Sequence, residues 1–205
     1  MTVQRTLTIA AIAILALAGC GAADSEDDAA GRAAPGVTAP ADSSADSLLA
    51  AYGLAGLDGR EIVDRLDRLP VAERPTDLMA SVRSGELHLS GEPDEQPAVV
   101  ALPTDEFYLS VAPYVDHTHD CYFHSLTTCL GELAGEQLAV TITDLDTGEV
   151  LVNEVTEVYD NGFVGFWLPS GIDATIEIEH DGRAGTEQIA TGPEDPTCLT
   201  TLQLA

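Results

Sequence analysis

The sequence predicts an α+β fold in which short N-terminal helices precede a mainly antiparallel, sandwich-like β region. Three observations carry that expectation. Between residues 46 and 80 the apolar positions recur at helical spacing, with Ile62, Val63, Leu66 and Leu69 following the i, i+3/i+4, i+7 pattern of a core-facing stripe. From about residue 79 the period becomes two, most clearly where Ala174, Ile176 and Ile178 alternate with Thr175, Glu177 and Glu179. Asp-Thr-Gly, Asp-Asn-Gly and His-Asp-Gly triplets punctuate the later runs, as hairpin turns do.

The chain opens with the basic start "MTVQR", followed by "TLTIAAIAILALA" and then Leu17-Ala18-Gly19-Cys20. This is the architecture of a bacterial lipoprotein signal. Residues 1–19 are expected to be removed and Cys20 lipidated, giving an extracytoplasmic, membrane-anchored lipoprotein of the cell envelope. Cys20 then leaves the thiol count. Residues 20–46 are rich in Ala, Ser, Asp, Gly and Pro and read as a flexible tether, reaching roughly 25–30 Å.

The folded region is expected to comprise an N-terminal α+β part, 47–112, and a C-terminal β part, 113–205. Leu48, Leu49, Tyr52 and Leu54 mark a first amphipathic helix, while Asp58 is the expected N-cap of a second that Pro70 ends. "ASVRSGELHLS" reads as a hairpin around Ser84-Gly85, "PAVVALP" as a strand, and "EFYLSVAPYV" as another with Phe107, Leu109 and Val111 on one face. Further strands follow in "QLAVTITDLDTGEVLVNEVTEV", "GFVGFWLP", "DATIEIEHDGRAGTEQIA" and "TCLTTLQL". Asp146-Thr147-Gly148 matches the tripeptide of aspartic proteases, but that chemistry needs two such carboxylates and no second copy exists. Between two alternating runs it is a turn.

Eight Arg, with no Lys, face 35 acidic residues, for a net charge of −27. Such a surface repels phosphate backbones, which excludes nucleic acid as a partner. It attracts cations without choosing among them.

Chemistry concentrates in "HTHDCYFHSLTTC", residues 117–129, with a further cysteine, Cys198, near the C-terminus. If 116–121 is extended, His117, His119 and Cys121 share a face. If 121–129 is helical, Cys121 and His124 do. Full extension would separate Cys121 and Cys129 by about 26 Å at ~3.3 Å per residue, so the segment must turn for them to cooperate. Three thiols remain outside the cytoplasm, and an odd set leaves at least one without an intramolecular disulfide. The C-x₇-C spacing differs from that of zinc sites, and no C-x-x-C of a thiol oxidoreductase is present. Thiolates with imidazoles suit soft Cu(I), and a thiol pair can supply electrons to Cu(II). The residues alone leave open a copper site and a structural disulfide with a spare thiol, and favour the second. His88 and His180 lack neighbouring candidate ligands and are left out.

"HDCYFHSLTTCLGEL" with the terminal "DPTCLTTLQL" closely resembles the periplasmic copper-binding protein CueP family, which carries a C-x₇-C pair and a third cysteine about seventy residues on. The resemblance covers 47–205. It implies that Cys121, Cys129 and Cys198 are copper ligands and redox thiols, with His117, His119 and His124 as weaker additional donors. The implied function is capture of copper, Cu(I) and also Cu(II), with reduction of Cu(II) to Cu(I), for copper tolerance or transfer to a client protein. A homodimer formed through the N-terminal part is implied too. The competing expectation is a disulfide-stapled β-sandwich scaffold or adhesion lipoprotein without metal function.

Overall fold

The structure, a computed structural model, describes residues 43–91 and 97–205. The expected leader, Cys20 and the tether up to residue 42 lie outside the described residues. Among the described residues two helices come first, α1 (Ser43–Ala51) and α2 (Gly59–Asp67), followed by a 3₁₀ turn at Val71–Glu73. Asp58 caps α2 as expected. Its side chain accepts from the Glu61 backbone at 2.9 Å, while the Glu61 side chain accepts from the Asp58 backbone at 2.9 Å. This is the reciprocal capping box that an Asp with a Glu three residues on permits.

Three sheets follow. The first is the antiparallel sheet of β1 (Met79–Arg83), β2 (Glu86–Ser90) and β3 (Ala98–Ala101), with the β1–β2 hairpin turning at Ser84-Gly85. The second places β4 (Glu106–Val111) between β7 (Val164–Pro169) and the short β10 (Cys198–Leu199). In the third, β6 (Val150–Glu157), β5 (Gln137–Asp144), β8 (Asp173–His180) and β9 (Arg183–Ala190) run antiparallel in that order. Together with the two leading helices this is the α+β, sandwich-like architecture the periodicities predict. One strand departs from the antiparallel pattern: β10 lies parallel to β4.

The β4–β7 ladder is the wall between two cores. Side chains alternate across a strand, so Phe107, Leu109 and Val111 enter one core with Leu138, Val140, Ile142, Ala174, Ile176 and Ile178 of the facing sheet. Tyr108 points the other way, into the core that Leu48, Leu54, Ile62, Val63 and Leu66 build against Leu87, Leu89 and Ala98. Trp167 of β7 packs on that second core and donates from Nε1 to Asp64 of α2 at 2.9 Å, fastening the helix to the wall.

Two close approaches need glycine. At Gly165, opposite Ser110 on β4, an added Cβ would fall on the Tyr108 hydroxyl. Gly131 and Gly162 press backbone on backbone, with Gly131 N–H donating to Asn161 C=O at 2.7 Å. Either Cβ there would meet the other's main chain.

Gly165→Ala is therefore expected to destabilise the protein by about 2–4 kcal/mol, because it overpacks the site and displaces a buried hydroxyl from its partner. Gly171→Ala, at φ 76° but with open space around it, should cost only about 1–2 kcal/mol of backbone strain. Urea denaturation of the two variants measures the difference, and equal losses would show that the close approach at Gly165 is unimportant.

Candidate metal centre

The Cys/His segment is neither an extended strand nor a helix. Residues 117–123 form an irregular loop. Ser125 then makes an isolated bridge to Ser81 of β1, with Val82 N–H donating to His124 C=O at 2.8 Å and Leu126 N–H to Ala80 C=O at 2.9 Å. A turn follows, closed by Cys129 N–H donating to Ser125 C=O at 3.2 Å. The chain reverses between the two cysteines, and their sulfurs stand 3.7 Å apart. Cys198 comes in from the other end of the sequence. Its N–H donates to Tyr122 C=O at 3.2 Å, and the neighbouring Thr197 hydroxyl accepts from His124 N–H at 3.0 Å while donating to Val82 C=O at 2.7 Å.

Cys121 and Cys198 are joined as a disulfide, with Cα atoms 5.7 Å apart, and Cys129 is the free cysteine among the described residues. This corrects the expectation that three cysteine thiols capture copper and reduce Cu(II). A thiol pair gives up its electrons by becoming a disulfide, and this pair is already in that state. The competing expectation of a disulfide-stapled sandwich, and the odd-cysteine reading of one disulfide with a spare thiol, describe the arrangement better.

Among the described residues, two triads each hold their donor atoms within 4.8 Å of one another: His119, Cys121 and Cys129, and His124, Cys129 and Cys198. Cys129 is common to both. His119 is exposed and stands edge-on to Phe163, whose ring is also 4.6 Å from that of His124. His117 belongs to neither triad and is 77% exposed, with Nδ1 3.5 Å from Glu132. Glu132 accepts from the backbone N–H groups of Val115, Asp116 and His117, which outweigh its desolvation and hold its pKa below the usual carboxylate value. His88 and His180 pair with Glu86 and Glu136, away from the sulfurs.

Beneath the sulfurs lies a residue that the sequence reading missed. Asp67, the last residue of α2, is 0% exposed. It accepts from Tyr108 Oη at 2.6 Å, Asn161 Nδ2 at 2.8 Å and His124 Nε2 at 2.9 Å, with Arg74 Nη2 3.9 Å away. A signal was present: Gly59, Ile62, Val63, Leu66 and Asp67 form the buried face of α2, so an acid occupies the apolar stripe. Asn161 also turns its Oδ1 to accept from Phe163 N–H at 2.9 Å, which sets the ring that both histidines touch. Arg74 donates to the Cys129 carbonyl at 2.9 Å.

The electrostatics follow from this stack. Burial pushes the Asp67 carboxyl upward, but the charge of His124 and the hydrogen bonds from His124, Tyr108 and Asn161 outweigh it and lower its pKa. Burial opposes the charged form of His124, yet Asp67 and then Cys129 raise its pKa to about 9. Burial likewise raises the Cys129 thiol, and the hydrogen bond and charge of His124 bring it below the ordinary value. Carboxylate, imidazole and thiol thus stand in a row in which each group favours the charged form of the next, with His124 held at Nε2 and its Nδ1 facing sulfur at 3.8 Å from Cys198 Sγ.

A family model described as "Periplasmic copper-binding protein CueP" matches residues 61–203. A solved structure described as "Crystal Structure of S.CueP" is 41% identical, with a TM-score of 0.72 over 78% of this chain and 96% of that one. No curated protein matches.

The raised His124 pKa means that its charge stabilises the fold fully below its ordinary 6.5 and ceases to do so as pH rises through about 9. For Asp67, lowered from 3.8, stabilisation is full above that value and is lost as pH falls further. The melting temperature of the disulfide-intact protein is expected to fall as pH rises through about 9, with that step absent in Asp67→Asn. Carboxymethylation of Cys129 should persist below the pH at which a free thiol stops reacting, and Asp67→Asn should move its inflection upward. An unchanged inflection contradicts the coupling.

Proposed function

The chain belongs to the periplasmic copper-binding protein CueP family, and on that premise we propose that it is a disulfide-stapled envelope protein that contacts copper through Cys129 and the imidazoles of His119 and His124. The observation that carries this reading is that the free thiol is the shared member of both donor triads. One soft thiolate with one or two imidazoles suits Cu(I), which accepts few ligands, better than a hard oxygen-seeking cation. Cys129 and His119 border a cleft of about 540 Å³, which gives an ion a route in. Copper is cargo here. His124 offers Nδ1 while Asp67 holds Nε2, an arrangement that orients a metal-binding imidazole and raises its basicity.

The staple contributes separately. A bond closing 77 residues of sequence removes unfolded-state freedom worth about 4–5 kcal/mol in the chain-entropy treatment, with measured contributions commonly about 2–4 kcal/mol. The fold therefore holds while the metal-contacting residues stay few. The basic, apolar leader ending at Leu17-Ala18-Gly19-Cys20 supports a lipid tether on Cys20 that keeps the site outside the cytoplasm and near a membrane.

Anaerobic Cu(I) titration in ascorbate, which leaves disulfides intact, is expected to give one bound ion per chain. Cys129→Ser should weaken binding by about 100-fold or more, and His124→Ala by roughly 10–100-fold. The double variant Cys121→Ser/Cys198→Ser should keep the ion while melting at lower temperature. Full affinity in Cys129→Ser, or binding that begins only after the disulfide is reduced, overturns the reading.

A further inference from the structure

Three sulfurs share one small space, and only two of them can be bonded at a time. Cys129 Sγ lies 3.7 Å from Cys121 Sγ, and within 4.8 Å of Cys198 Sγ. Cys121 is half-buried in a loop outside the strands, whereas Cys198 is 3% exposed and fixed in β10. The two sides of the cluster differ. Cys129 opens on the cleft that His117, His119 and Glu132 line. Cys121 and Cys198 border a separate cavity of about 380 Å³, where the carboxylates are those of Asp173, Glu187 and Asp195.

We propose that Cys129 and the Cys121–Cys198 disulfide form an internal exchange pair, so that the disulfide moves between Cys121–Cys198 and Cys121–Cys129 and the free thiol moves from one cavity to the other. In the forward step the Cys129 thiolate attacks Cys121 Sγ. The Cys129–Cys121 bond forms as the Cys121–Cys198 bond breaks, and the electron pair leaves on Cys198 as thiolate. One disulfide and one thiolate stand on each side of the equation, so no oxidant or reductant is consumed.

The geometry defines what must move. Attack is in line with the leaving sulfur, which would place Cys129 and Cys198 about 5.8 Å apart, the sum of 3.7 Å and a disulfide bond of about 2.05 Å. The sulfurs instead form a triangle, since that separation is within 4.8 Å. Rotation of the Cys121 side chain, the common partner of both bonds, toward the line between the other two sulfurs supplies the alignment and shortens its 3.7 Å contact with Cys129. His124 borders both the attacking and the departing sulfur, so the same imidazole faces whichever cysteine is free. Two thiol positions result, both facing His124: one opening on the cleft of His117, His119 and Glu132, the other on the cavity that Asp173, Glu187 and Asp195 line.

The test needs no metal, so its failure is separate from failure of the copper reading. Full-length protein, kept with a chelator at pH 8, is alkylated slowly with limiting iodoacetamide, quenched in acid and digested with pepsin, which cuts between Cys121 and Cys129 at Tyr122-Phe123. Mass spectrometry is expected to find label on Cys129 and, in separate molecules, a share of about a tenth or more on Cys198. The Cys198-labelled molecules should carry a Cys121–Cys129 disulfide, and Cys121 should stay unlabelled. As a second arm, Cys198→Ser treated with oxidised glutathione should close a Cys121–Cys129 bond. Label confined to Cys129 at every time point, together with two open cysteines in Cys198→Ser, overturns the exchange.

Discussion

The buried carboxylate of Asp67 is the constraint on which the rest depends. An ion removed from water costs several kcal/mol unless its lone pairs are taken up, and here they are taken up by groups from separate stretches of chain. Tyr108 reaches it from the β4 wall, His124 from the Cys/His segment and Asn161 from the turn before β7. Removing the acid would orphan each of these buried donors. The helical layer, the central ladder and the sulfur cluster are thereby held in one register. Gly165 leaves space for the Tyr108 hydroxyl, and the Gly131–Gly162 approach brings the chain beyond Cys129 down beside Phe163.

This anchorage decides the chemistry above it. A free imidazole could turn either nitrogen to the sulfurs, whereas His124, tied at Nε2, presents Nδ1. A free thiol in a buried setting would be neutral and a poor metal ligand. Beside His124 it is biased toward thiolate, the form that binds metal and attacks disulfides. The disulfide removes two of the three cysteines from that pool while tying the last strand to the Cys/His segment. Copper contact and structural support therefore fall to different sulfurs, although all three are neighbours.

Much of the fold was legible because it rests on local pattern. Asp58 announced the start of α2, Ser84-Gly85 announced the first hairpin, and the alternation from Ala174 to Ile178 announced a half-buried strand. The parallel placement of β10 on β4 was not, since two residues carry no period and their position is fixed by contacts with Ser110 and Tyr122 far away in sequence. At the site, the cysteines and His124 stood out as residue types. Their pairing did not, because three sulfurs separated by 8 and 69 residues can be joined in any order until tertiary structure chooses. Asp67 was hidden in the charge-rich run "VDRLDRLP", where an acid ordinarily faces water. His117 was conspicuous in sequence and is drawn aside by Glu132.

The central claim is that one thiolate, placed by the Asp67–His124 pair beside a closed disulfide, makes the copper contact. X-ray absorption at the copper K-edge of the Cu(I)-loaded protein with its disulfide intact reads the ligand atoms directly. A first coordination shell of one sulfur with nitrogen is the predicted result. A shell of two or three sulfurs, or one without sulfur, would contradict it.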